Sequence, residues 1–104
     1  MRITIDVTRE DIQGGVPKHP GQCPVARACR RHLFVAVYVC AWELDLRDDD
    51  AHRAHEISLP DAARQFVQTF DRHGAGAVEP FQFTVDVPAW AVRVAAPEPA
   101  LVGV

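Results

Sequence analysis

Two stretches near the ends of this chain alternate apolar and polar residues with a period of two, and a strongly amphipathic helical segment lies between them. Residues 2–7 set Ile3, Ile5 and Val7 against Arg2, Thr4 and Asp6, and residues 80–87 set Phe81, Phe83, Val85 and Val87 against Gln82, Thr84 and Asp86. Successive side chains of a strand point to opposite faces, so each stretch predicts a strand with one core-facing side. Between them, Leu59-Pro60-Asp61 opens a helix whose Ala63, Phe66, Val67 and Phe70 fall on one stripe and which Gly74 or Gly76 stops. One-sided strands and a one-sided helix must cover one another, which predicts an α+β domain.

The remaining segments fit the same plan. Thr8 has the place of an N-cap and Asp11, three residues on, that of a capping-box acid, opening a short helix over 9–13 that Gly14-Gly15 ends. Gly, Pro, Lys and His then fill a loop to residue 21. Pro24 suits a first helical position, with Val25, Ala28, Cys29 and His32 as the buried stripe and Arg27, Arg30 and Arg31 on a more exposed side. Phe34–Cys40 is β-rich and apolar on both faces, which predicts a central strand. Residues 42–46 read as a more exposed strand with Trp42, Leu44 and Leu46 on one face, followed by a turn at Asp48-Asp49-Asp50 and a returning strand over 55–58.

This order predicts a single antiparallel or mixed sheet of four to five strands with two or three helices on one face. A ferredoxin-like βαββαβ variant fits, its first crossover split into two helices. Residues 1–88 form the domain, and 89–104 form an apolar, Pro/Ala-rich tail or edge strand anchored by Trp90. The predicted core is Ile3, Ile5, Val7, Val25, Ala28, Val37, Phe66, Phe70, Phe83 and Val85.

Composition excludes several classes. A chain of 104 residues makes one domain with little room for a deep cleft, and a net charge of −3 argues against general nucleic-acid binding. Ten arginines against one lysine, Lys18, amid abundant Ala, Val, Asp and Pro, read as the coding bias of a GC-rich genome. No apolar run reaches the length of a membrane-spanning helix, and the first residues lack a signal-peptide core, so a cytoplasmic protein is expected. Cys23, Cys29 and Cys40 make no CxxC pair and are expected as free thiols. His52 and His55 stand beside an acidic turn, yet no paired ligands at zinc spacing occur, so neither metal nor cofactor is expected.

The run His19-Pro20-Gly21-Gln22-Cys23-Pro24 through His32 is the one place where helix-start amides and clustered positive charge point the same way. Free N–H groups at a helix start favour an anion, and guanidinium forks suit phosphate oxygens. His19, Cys23, Arg27, Arg30 and Arg31 are therefore the candidate ligand-binding residues, although no glycine-rich phosphate loop is present. Cys23 at a helix start has the position of a lowered-pKa thiol, which makes it the best available nucleophile. Asp71 and Glu79 flank a loop on which nothing else converges. Trp42 and Trp90 are the aromatic side chains expected at an interface.

The chain resembles small uncharacterised proteins of actinobacterial phages and prophages. The resemblance rests on Ile5-Asp6-Val7-Thr8-Arg9-Glu10-Asp11-Ile12 with Gly14, on Cys23-Pro24-Val25-Ala26-Arg27-Ala28, on Leu59-Pro60 and Phe70-Asp71, and on Pro80-Phe81-Gln82-Phe83, and covers residues 3–87. It implies a stoichiometric, non-catalytic binder with an anti-defence role. The first expectation is sequestration of an anionic signal such as a cyclic nucleotide, by a homo-oligomer. The alternatives are an inhibitor docking on a host defence or nucleic-acid-binding protein, and a small enzyme using Cys23.

Overall fold

The computed structural model describes residues 1–40 and 42–92. In chain order its elements are β1 (Arg2–Val7), α1 (Arg9–Gly14), α2 (Pro24–Arg30), β2 (Ala36–Val39), β3 (Glu43–Asp48), β4 (Arg53–Ser58), α3 (Asp61–His73) and β5 (Phe81–Asp86). Single 3-10 turns follow α3 at Ala75–Ala77 and β5 at Ala89–Ala91.

The two alternating end segments find each other. β1 and β5 pair antiparallel with Ile3 opposite Val85, Ile5 opposite Phe83 and Val7 opposite Phe81. The Met1 amino group donates to the Val87 carbonyl at 2.7 Å, and the Val87 N–H donates back to Met1 at 2.8 Å, which closes the end of the ribbon. α3 carries the predicted stripe: Ala63, Phe66, Val67 and Phe70 are buried. The Phe66 ring stacks on Phe81, centroids 4.7 Å apart, and Phe81 in turn on Phe83 at 5.6 Å. Burying a phenylalanine contributes roughly 1.5–3 kcal/mol, so this ladder is a main anchor of helix to ribbon. Gly74 ends α3 at φ 83°, a left-handed conformation that a Cβ disfavours, and its N–H donates to Phe70 O at 2.8 Å.

The α+β class holds, but the strands form two antiparallel sheets, β1-β5 and β2-β3-β4, where one was expected. The free edge of β2 is met by loop backbone: Val39 N–H donates to Pro20 O at 2.9 Å, and Phe34 N–H, just before the strand, to Ala91 O at 3.2 Å. An isolated bridge joins Leu33 to Val92. These single contacts stand where a continuous ladder would be needed to merge the sheets.

α2 packs against α1, β1 and β2, with Val25, Ala26, Ala28 and Cys29 fully buried. Its small side chains let it approach closely. A Cβ on Gly15 would lie 2.6 Å from Pro24 Cδ and 2.9 Å from the Asp11 carbonyl oxygen, so glycine is required there by contact between α1 and α2.

β2 is an edge strand, a second correction. Val37 and Val39 are buried while Phe34 and Tyr38 face water, because only one face of this sheet is covered; β3 is the central strand. Of the predicted core, all but half-buried Ile3 are buried. The packed part runs past residue 88, with Ala91 buried and Trp90 half-buried against the core. The rest of the predicted tail, 93–104, lies outside the described residues.

Candidate functional site

The arginine cluster is organised by one buried acid. The Thr8–Asp11 capping box forms as predicted, with the Thr8 N–H donating to Asp11 Oδ2 at 2.9 Å and the Asp11 N–H to Thr8 Oγ1 at 3.2 Å. Asp11 is 2% exposed. Arg31 grips it with both prongs, Nη1 to Oδ1 at 2.5 Å and Nη2 to Oδ2 at 2.7 Å, and Nη2 also reaches the Asp6 carbonyl at 2.7 Å. Burial pushes the Asp11 carboxyl up, but hydrogen bonds from Arg31 and Thr8 outweigh it and hold it below its usual range.

Arg27 Nη1 donates to Gly14 O at 3.4 Å, and its Nε lies 3.9 Å from Asp11. Arg30 Nη1 donates to Gly21 O. Each of the three arginines thus has a partner inside the fold, which ties α2 to α1, to β1 and to the loop before it.

The start of α2 is also occupied. Cys23 is the N-cap, and its Sγ accepts the Ala26 N–H at 3.5 Å. The lowered pKa expected from its position is overturned, since burial pushes the Cys23 thiol up against the opposing help of backbone N–H groups. Burial takes Cys29 up to about 12. Cys40 is exposed, and all three are free thiols.

Around Cys23 the structure gathers residues that sequence spacing kept apart. Lys18, His19, Cys23, Cys40 and Asp71 line one open cavity of about 250 Å³. Lys18 takes φ 61° there and its N–H donates to Asp71 Oδ1 at 2.9 Å. The hydrogen-bond partner of the thiol is backbone, and the His19 imidazole lies instead near Gly21 and Tyr38. A thiol kept neutral by burial and bonded to a backbone N–H is poorly set up for nucleophilic attack. A second, shallower groove of about 350 Å³ runs between His19, Gln22, Arg30 and Tyr38.

The largest exposed aromatic side chains lie along β2 and its flanks, Tyr38 at the border of this groove. Phe34, Tyr38 and Trp42 are 58%, 42% and 63% exposed. Phe34 precedes β2, Tyr38 sits on its outer face opposite Asp45, and Trp42 lies in the turn to β3. Arg47 sits 5.7 Å from the Tyr38 ring centroid and pairs with Asp45 at 3.1 Å. Trp90 is placed differently, half-buried with the Arg53 guanidinium 4.5 Å from its ring centroid. Alternation assigns Trp42 to the face of Leu44 and Leu46, but it lies in the turn before the strand and is exposed. The sequence places Phe34 and Tyr38 in a central strand covered on both faces, because a run of mixed apolar residues does not say which face stays uncovered.

Glu79, expected to stand alone, pairs with Arg9 at 2.9 Å. Among the described residues no three His, Cys, Asp or Glu side chains converge as a metal site, and no helix is long and apolar enough to cross a membrane. In comparisons with protein families, curated proteins and solved structures, nothing matches this chain.

Proposed function

We propose that this protein is a non-catalytic binding module that docks a protein partner on the outer face of the β2-β3-β4 sheet. The observation that carries this reading is the exposure of Phe34, Tyr38 and Trp42 along one strand and its turn, with Arg47 beside them. Aromatic and arginine side chains supply much of the energy of protein interfaces, while aromatic surface left in water stabilises nothing. The resemblance to actinobacterial phage proteins makes a host defence or nucleic-acid-binding protein the expected partner, inhibited by occupation.

Affinity capture from an actinobacterial lysate tests it, comparing wild type with Phe34→Ser/Tyr38→Ser/Trp42→Ser. The expected result is one protein held in fixed stoichiometry by wild type and at least tenfold less by the variant, with thermal melts alike. Equal capture by both would remove the assignment of this face.

Sequestration of an anionic nucleotide is the second reading, favoured by the groove that sets Tyr38 beside His19, Gln22 and Arg30. A planar base stacks on a tyrosine, and a phosphate suits the two basic side chains. Native mass spectrometry with cyclic di- and trinucleotides separates the readings: a stoichiometric adduct released unmodified belongs to a nucleotide binder, and its loss in Tyr38→Ala/Arg30→Ala would locate it.

A further inference from the structure

β4 is the least covered element of the fold. Arg53, Ala54, His55, Glu56 and Ser58 are exposed and Ile57 is half-buried. It is the outer strand of its sheet, and no described residue pairs with its free edge. Natural edges are blunted by proline, bulges or charged side chains; β4 has neither proline nor bulge, its register with β3 is unbroken from Arg53 to Ser58, and its two charges, Arg53 and Glu56, are of opposite sign.

The pattern of its free edge follows from the ladder. Cys40 N–H donates to Glu43 O, so residues 43, 45 and 47 of β3 turn their backbone groups toward β2 and 44, 46 and 48 turn theirs toward β4. Those three pair with Ile57, His55 and Arg53, which leaves Ala54, Glu56 and Ser58 with N–H and C=O groups directed outward.

Charge then favours a particular occupant. Within one chain, Glu56 stands directly opposite Asp45, a like-charge pair that destabilises a sheet. Arg47, which in the single chain pairs with Asp45 and lies near the Tyr38 ring, stands opposite Ala54, a side chain too short to block its swing across the strand. We propose that β4 pairs antiparallel with β4 of a second copy, about a two-fold axis through His55, to give a continuous six-stranded sheet.

In that register Ala54 faces Glu56 of the second copy. Arg47 of one copy then approaches Glu56 of the other across Ala54, twice by symmetry. The neighbouring register, with its axis through Glu56, sets two glutamates face to face between two Asp45 carboxylates, and charge rejects it. The face rows stay in phase in both, so charge rather than hydrophobicity selects.

Sedimentation of the full chain, with cysteine cross-linking in a Cys40→Ser background, tests the pairing. The expected result is a concentration-dependent dimer that Ala54→Pro weakens at least tenfold, because the proline removes an outward donor. His55→Cys should form an intermolecular disulfide on mild oxidation, since residues facing across a non-hydrogen-bonded pair lie about 4.5 Å apart at Cα. Glu56→Cys should link much less. A monomer at every concentration overturns the proposal, and so does a monomer whose Ala54 and Glu56 amides resist hydrogen exchange, which would mean the chain covers its own edge. Preferential linking through Glu56→Cys overturns the register. The outer-face variant Phe34→Ser/Tyr38→Ser/Trp42→Ser should still dimerise, so failure of one assignment leaves the other standing.

Discussion

Asp11 shows how one side chain can join two helices. It completes the capping box of α1, receives both prongs of Arg31 from the end of α2, and lies within reach of Arg27. Replacing it by alanine removes the acceptor of the Thr8 N–H, the reciprocal half of the capping box, and leaves two guanidinium groups without their acid; we expect a loss of about 2–4 kcal/mol, read by chemical denaturation. The pH dependence has a defined sign. The folded carboxyl titrates below the unfolded value of about 3.9, so its contribution is complete above that value and is lost as pH falls through the folded pKa. Asp11→Asn should therefore be less stable than wild type at pH 7, with the gap closing in acid. The cysteines allow a second check. Burial keeps Cys23 and Cys29 protonated, so a thiol reagent should label Cys40 alone in the native protein and all three after unfolding. Rapid native labelling of Cys23 would reopen the reading of it as a nucleophile.

At the scale of elements, close approach matters as much as propensity. Gly14-Gly15 reads in the sequence as the end of a helix, yet Gly15 has an ordinary negative φ and is held by the Pro24 ring and the Asp11 carbonyl. Gly15→Ala should cost about 1–3 kcal/mol by prising α1 from α2, measured as a lower melting temperature, whereas Gly76→Ala, with open space around it, should leave the melt within a few degrees. The elements legible from sequence were those with a strict local signal: the alternation of β1 and β5, the Thr8–Asp11 box, Pro24 at the start of α2 and the stripe of α3. What stayed illegible depended on distant pairings. That β1 partners a strand 74 to 84 positions away, and that this ribbon stays separate from the β2–β4 meander, is set by which edges meet loop backbone at Val39 and Phe34.

For the whole molecule, the division of roles runs between helix and sheet. The arginines that made the α2 region look like an anion site turn inward to Asp11, Gly14, Asp6 and Gly21, between 9 and 25 positions away and invisible to a local motif. The outer sheet face keeps its aromatics in water. Double reversal of Arg27 and Arg31 to glutamate should accordingly lower stability by several kcal/mol through an unpaired Asp11, as a melt will show, instead of removing a ligand from an intact fold. The placement of the two tryptophans has a practical sequel. Trp42 lies open to solvent and Trp90 is half-shielded under Arg53, so iodide should quench the first strongly and the second weakly. The molecule thus carries two separate optical channels, one reporting what lands on the hairpin turn and one reporting whether the β4 strand keeps its hold on the body of the fold.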